Sequence, residues 1–300
     1  MRNSILIGNG LNRCLSNGIS WSDLLKTIAM NYKVNHNAEI SFPMEFENIA
    51  NQILRKETYF KGDKIYTELK EEIVNLLNHL DDNIDLDLHK QFTNLPVNSI
   101  FTTNYDYLLE KSADENFSKS LYYRRNIVGN NKYNLNQKIN VGNKCFYHIH
   151  GEMWYPKTIC LGYEHYAGTL QHLRNALSSS KNGVPKISLA MQNPNQTTNV
   201  WAERFFKDNI YIVGLGLSDS EIDLWWLLTY RAYLYYSNRA SIQKYIKNRI
   251  VYYDIGDEPN IKLSFTLENQ HVEYRFIKSK DYKKAYYDIC NKINNEIIST

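Results

Sequence analysis

The segment Thr102-Thr103-Asn104-Tyr105-Asp106 follows the short apolar run Ser99-Ile100-Phe101 and precedes the apolar Tyr107-Leu108-Leu109. A strand that hands over to a helix through small polar residues places an amide and a carboxylate at the strand's carboxyl end. Asn104 offers both a donor and an acceptor, which suits ribose hydroxyls or a held water; the same side chain could instead close an Asx-turn. Asp106 could serve the same site or cap a helix that starts near Tyr105. His148 and His150 are spaced i, i+2 and so share one face if both lie on a strand. Two histidines could begin a metal site, but no third ligand is evident, because Glu152 continues past Gly151 into an expected loop. A lone catalytic His150 beside a glycine, with His148 structural, fits better, and no metal is expected.

Two further stretches join apolar runs to glycine turns. Ser4–Ile7 leads into Gly8-Asn9-Gly10, and Ile210–Val213 leads into Gly214-Leu215-Gly216. Glycines let a phosphate approach the backbone, and a helix start beyond them supplies free N–H groups and the positive end of a dipole. Neither stretch completes G-x-G-x-x-G, and each alone could be only a tight turn. Two such junctions in one chain point to a dinucleotide.

The elements that must position these residues alternate. Short buried strands are expected at 4–7, 97–101, 145–149, 210–213, 249–253 and 272–277. Helices are expected from Trp21, capped by Ser20 or Ser22, across 44–93, at 163–180, after a capping box formed by Ser218 and Glu221, and at the C-terminal end. In the 44–93 block Ile65, Leu69, Ile73, Leu76 or Leu77, and Leu80 recur at steps of three and four, with Asp63 as a possible cap. The last helix shows Tyr282, Tyr286, Ile289, Ile293 and Ile297 on one face. Residues 126–144 read as a loop or weak hairpin, and 181–198 as a surface loop. Strands alternating with helices predict an α/β, Rossmann-like parallel sheet with helices on both faces. The block at 25–93 is too long for a simple crossover and is expected to be a helical insertion within a single domain spanning 1–300. Ligands of such sheets bind beyond the carboxyl ends of the strands, where these turns lie.

A net charge of +3 over 300 residues is too small to make nucleic acid a direct partner. Arg124-Arg125 reads as solvated surface. The 24 tyrosines accompany many Asn, Lys and Ile residues and read as coding bias, not as a stacking platform. Cys14, Cys145, Cys160 and Cys290 form no C-x-x-C pair, so a structural zinc site is not expected. The first apolar run is about four residues, against the roughly 7–15 of a secretory signal. No window approaches the ~20 apolar residues of a membrane span. A cytoplasmic protein with reduced thiols is expected.

The ordered set Gly8-Asn9-Gly10, Asn17-Gly18-Ile19, Thr103-Asn104-Tyr105-Asp106, His150-Gly151 and Gly214-Leu215-Gly216-Leu217 resembles the sirtuin family. The forms T-T-N-Y-D, H-x-H-G and G-x-G-x-x-D look like its bacterial branch found in anti-phage defence, whose members hydrolyse NAD rather than deacylate lysine. The opening I-G-N-G-L-N and the run G-Y-E-H-Y-A-G-T-L also resemble AbiH-type abortive-infection proteins. Two departures speak against a deacylase. The two C-x-x-C zinc pairs that follow H-G are missing, with only Cys160 in that region, and Ser20-Trp21-Ser22-Asp23 replaces P-D-F-R.

The resemblance implies NAD as substrate, no metal, and cleavage of the nicotinamide–ribose bond to nicotinamide and ADP-ribose. It implies that Asn104 orients the ribose and a water, that His150 is the general base near its ordinary pKa of ~6.5, and that Asp106 matches the family's aspartate. Gly8, Asn9, Gly10, Thr103, Gly214 and Gly216 would line the cofactor turns, with Asn12 and Asp219 as neighbours. The alternatives are a non-catalytic NAD or ADP-ribose sensor, a deacylase, or an ADP-ribosyl transferase. An NAD-consuming enzyme must be restrained, so a homo-oligomer or a complex with a separate sensor, such as a HerA-like ATPase, is expected; a membrane partner is not.

Overall fold

The computed structural model describes residues 1–56, 64–78, 84–119, 132–181, 184–193, 195–237 and 240–299. Asp63, Leu80, Arg124, Arg125 and residues 126–131 lie outside these.

Seven strands form one sheet: β1 (Asn3–Ile7), β2 (Ser99–Thr102), β3 (Ile139–Val141), β4 (Lys144–His148), β7 (Asn209–Val213), β8 (Ile250–Gly256) and β9 (Glu273–Lys278). Their numbering leaves room for β5 (Ser180–Lys181) and β6 (Val184–Pro185), a separate two-stranded ribbon. The sheet order is β3-β4-β2-β1-β7-β8-β9, and every pair is parallel except the β3–β4 hairpin. Ile5 stands opposite both Ile100 and Tyr211, which fixes the register of the three central strands. Without its antiparallel edge the sheet follows the doubly wound order, with the topological switch between β1 and β7. This is the α/β Rossmann-like architecture expected from the alternating pattern.

The central strands are apolar on both faces because both faces are covered. Ile5, Ile7, Ile100 and Val213 pack on one side with the helices α1 (Trp21–Asn31), α2 (Phe42–Lys56), α3 (Lys64–Asn78) and α4 (Asp87–Asn94) and the C-terminal helix. Leu6, Phe101, Ile210 and Ile212 pack on the other with α6 (Tyr163–Leu177), α7 (Ile222–Tyr236) and α8 (Ile261–Asn269). The short α5 (Leu108–Ala113) follows β2, and α9 (Tyr282–Ser299) closes the chain. Alternate residues of one strand therefore serve two cores, each fully buried Ile or Leu contributing ~1.5–3 kcal/mol.

Ile65, Leu69, Ile73 and Leu77 are all buried, as their spacing predicts. Ser20 caps α1, its Oγ accepting the Asp23 N–H at 3.1 Å. Two local expectations fail. Within 181–198, Lys186–Gln192 is helical rather than loop, because Ile187, Ser188 and Ala190 bury one side. The capping box at Ser218 does not form: α7 starts at Ile222 without a side-chain cap, and Ser218 Oγ pairs with Ser220 Oγ at 2.7 Å. Glu221 is drawn elsewhere.

Candidate functional site

A cleft of about 360 Å³ lies over the carboxyl ends of the parallel strands. It runs from His150, just beyond β4, to Asp254 near the end of β8. Four strand spacings separate these ends, ~19 Å at ~4.8 Å each, a distance that one nucleoside does not bridge. Trp21 at the start of α1 and Phe42 at the start of α2 line one side, and Arg13 supplies a cation.

The floor is made by the two glycine turns laced together. Gly8 N–H donates to the Val213 carbonyl at 3.0 Å, and Gly10 N–H donates to the Gly214 carbonyl at 2.8 Å. A Cβ on Gly8 would lie 2.5 Å from the Gly214 oxygen, so this close approach requires glycine. Gly10, Gly214 and Gly216 reach the cleft, whereas Gly8 is spent on the contact between turns. Asn9 lines the cleft and ties the following loop down through Nδ2 to the Ile19 carbonyl at 3.0 Å.

The polar turn after β2 is divided in its duties. Thr103 and Tyr105 line the cleft. Asn104 lies buried behind them: its N–H donates to Thr102 Oγ1 at 3.0 Å, and its Nδ2 lies 3.5 Å from the Gly8 carbonyl. Its Oδ1, buried, has no hydrogen-bond partner among the described residues, and neither does Thr103 Oγ1. Asp106 accepts the Leu108 N–H at 3.1 Å at the start of α5, so it holds the helix entrance. Its other oxygen accepts from Asn12 Nδ2 at 2.8 Å, and Asn12 Oδ1 meets His89 Nε2 at 2.9 Å. His89 is buried on α4, and burial pushes its pKa down to about 4, so the neutral ring donates to Asn12. Asn12 and Asp106 thus support the turn from beneath instead of facing the cleft. Asp219 is 95% exposed and faces Lys262, while its neighbours Ser218 and Ser220 line the cleft.

His150 stands at the opposite end of the polar floor. The following Gly151 has φ +92°, and a Cβ there would meet the Thr158 oxygen at 2.1 Å, so the turn that aims His150 needs glycine. The Cys160 N–H donates to the His150 carbonyl at 2.7 Å, and Tyr105 Oη donates to the Cys160 carbonyl at 2.6 Å, joining this turn to the one after β2. His150 Nε2 lies 3.0 Å from Asp223 Oδ2 and 3.7 Å from Glu221 Oε2. Burial would lower the histidine pKa, but Asp223 and then Glu221 overcome it and raise it to about 9. The ring is therefore an imidazolium at neutral pH, a correction to the expected base of ordinary pKa. Burial raises Glu221 to about 6, against the opposing pull of His150.

Glu221 and Asp223 were invisible as site residues in the sequence, where local pattern made Glu221 a cap. The one available signal is a pair of acids at i, i+2 where the helix after the second glycine turn begins. The three side chains offer a nitrogen and two carboxylate oxygens within 4.8 Å of one another. The acidic partners missing near His150 in the sequence thus come from far downstream, Asp223 lying 73 residues on. With the 3.0 Å His150–Asp223 bond closed, the set is arranged to hold and pass a proton.

His148 turns away from the cleft. Its Nδ1 lies 2.8 Å from the Asn104 carbonyl oxygen and its Nε2 lies 2.8 Å from Glu110 Oε1. This is the structural role expected of it.

Fold and cleft together define a doubly wound α/β protein with a long cleft over the carboxyl ends of its strands. Residues 98–232 match the family model of the SIR2-like domain, which bears out the sirtuin-like resemblance over the turn after β2, the His-Gly turn and the second glycine turn. SIR2-like domains use NAD, and the match points to NAD-related activity. The likeness to AbiH-type proteins has no counterpart in this match. No curated protein matches the chain. Among the described residues no helix is long and apolar enough to cross a membrane.

Proposed function

We propose that the chain is an NAD glycohydrolase that breaks the bond between nicotinamide and ribose. The observation that carries the reading is the His150–Glu221–Asp223 cluster at one end of a cleft long enough for a dinucleotide. The C–N bond breaks with its electron pair going to nicotinamide, and the ribosyl carbon becomes cationic. A charged His150 between two carboxylates leaves one net negative charge, which favours that cation more than the neutral product. Water then adds to the ribosyl carbon and gives up a proton, leaving ADP-ribose. Glu221, ionised above about pH 6, takes that proton, and His150 holds Glu221 and Asp223 in place. Asn104 Oδ1, buried behind Thr103 with no partner among the described residues, is the acceptor that a water or ribose hydroxyl admitted past Thr103 would satisfy. Gly10, Gly214 and Gly216 leave room for the pyrophosphate, with Arg13 as its counter-charge.

The sirtuin-like resemblance extends the proposal to NAD depletion in anti-phage defence, restrained until a partner or a change of oligomer releases it. A separate sensor protein such as a HerA-like ATPase fits that role. Residues 1–300 would act as one domain, with 25–93 as the insertion that walls the cleft.

Nicotinamide release from NAD by the purified chain, beside His150→Ala and Asn104→Ala, tests the reading. Both variants should fold and release nicotinamide near background. Among the described residues the Asn104 side chain makes one long hydrogen bond, at 3.5 Å, so its loss should cost stability less than ~1 kcal/mol. Unchanged release in either variant would refute the assignment. NAD binding without release, in the chain alone and with a partner, would favour the sensor.

A further inference from the structure

We infer that His148, hydrogen-bonded at once to Glu110 and to the Asn104 carbonyl, is a positioning residue that presents Asn104 to the substrate. The inference rests on the proposed role of Asn104. The Asn104 carbonyl can only accept and Glu110, as a carboxylate, can only accept, so with each at 2.8 Å both ring nitrogens carry hydrogen. A neutral imidazole, with one N–H, could serve only one of them.

The surroundings enforce the charged form. The His148 and Glu110 side chains are 3% and 0% exposed. Tyr107 packs edge-on at 5.1 Å and donates its hydroxyl to Glu152 Oε2 at 2.6 Å. Glu152, from the loop after β4, is the second carboxylate whose charge acts on the ring. Burial opposes the charge, yet Glu110, Glu152 and the Asn104 carbonyl raise the His148 pKa to about 9.

The clamp fixes the Asn104 peptide without engaging its side-chain oxygen. The Asn104 peptide is held at both ends, its N–H by Thr102 and its carbonyl by a charge-assisted bond, roughly twice as strong as a neutral one. Its side-chain oxygen has no hydrogen-bond partner among the described residues. His148 does not line the dinucleotide cleft; it bonds Asn104, which lies directly behind the cleft-lining Thr103 and Tyr105, so its influence on a reaction there must pass through that turn.

The test is Glu110→Gln, which keeps an acceptor for Nε2 and removes the charge. Nitrogen NMR of the wild-type ring should show both nitrogens of His148 protonated at pH 7.5, and one in the variant. The variant's kcat for nicotinamide release should fall about 10- to 100-fold, the scale of a small misplacement. KM for NAD should stay within ~3-fold, because Asn104 acts on the reacting ribose and not on the phosphates. At pH 6 the variant's kcat, taken as a ratio to wild type at the same pH, should partly recover as His148 reprotonates, the half-protonation of Glu221 being common to both proteins. A purely structural pair would lower stability without this recovery. A singly protonated wild-type ring, or a folded variant with unchanged kcat, would overturn the inference. If Glu110→Gln does not fold, His148→Gln carries the kinetic arm with the same split expected. Absence of release by the wild-type chain both alone and with its partner would overturn the functional reading and this role with it, while the NMR arm would still report the clamp.

Discussion

Asp223→Asn isolates the charge that holds His150. The amide is nearly the same size as the carboxylate and its oxygen can still accept from Nε2, so what is lost is the negative charge. In the wild-type chain the His150 pKa stands at about 9 against 6.5 for the free side chain. Those ~2.5 units correspond to about 3 kcal/mol at ~1.36 kcal/mol per unit. The folded state binds this proton more tightly than the unfolded one, so the stabilisation is whole below pH 6.5 and is lost as pH rises through about 9. Asp223 contributes more of it than Glu221, which stands farther away at 3.7 Å. Urea unfolding of both proteins at pH 6 and pH 9.5 should therefore show a deficit of about 2–3 kcal/mol in the variant at pH 6 that shrinks towards zero at pH 9.5. His148, also raised to about 9, is present in both proteins and cancels in the difference. Nicotinamide release should fall about 10²-fold or more at neutral pH. An equal deficit at both pH values would mean that Asp223 acts through packing alone, and the electrostatic account of the cluster would fall.

Gly151→Ala forces a side chain onto φ +92° against the Thr158 carbonyl and should cost about 3 kcal/mol or more in thermal or urea unfolding. Gly216→Ala meets nothing within 4 Å, so its stability should stay within ~0.5 kcal/mol of wild type while KM for NAD rises if the pyrophosphate passes over that backbone. Asp254 lines the far end of the cleft, where a carboxylate suits a ribose 2′-hydroxyl and repels a 2′-phosphate. NAD should be preferred to NADP by about tenfold or more, a margin that Asp254→Asn narrows; equal use of both by the wild-type chain would refute the placement.

What the sequence discloses is what local physics determines. Short apolar runs beside glycine mark the strands, because a buried parallel strand has no polar face to alternate with. The turns after β1, β2, β4 and β7 could be found as places where small residues interrupt such runs, and Gly10, Thr103, His150, Gly214 and Gly216 meet at one cleft. What could not be read is which distant acid meets which histidine. Glu221 has a local use as a cap three residues after a serine, and the rule that favours it says nothing of His150. Glu110 sits in a helix where any carboxylate would pass as surface, yet it is fully buried against His148. Asp219 shows the converse: a motif position that the turn sends to solvent, because Leu217, at φ +43°, redirects the backbone just before it.

The lacing of Gly8 and Gly10 to Val213 and Gly214 has a mechanical side. The two central strands and the turns that crown them behave as one rigid beam, since spreading them would break two backbone hydrogen bonds at once. A cleft built on such a base cannot widen from below. Any breathing that admits a substrate or lets a product go must come from its rim: α1 and α2, which carry Trp21 and Phe42, and α9, which carries Tyr282 and Tyr286. Stiffness is thus concentrated where phosphates would rest, and compliance is left to the helices around them.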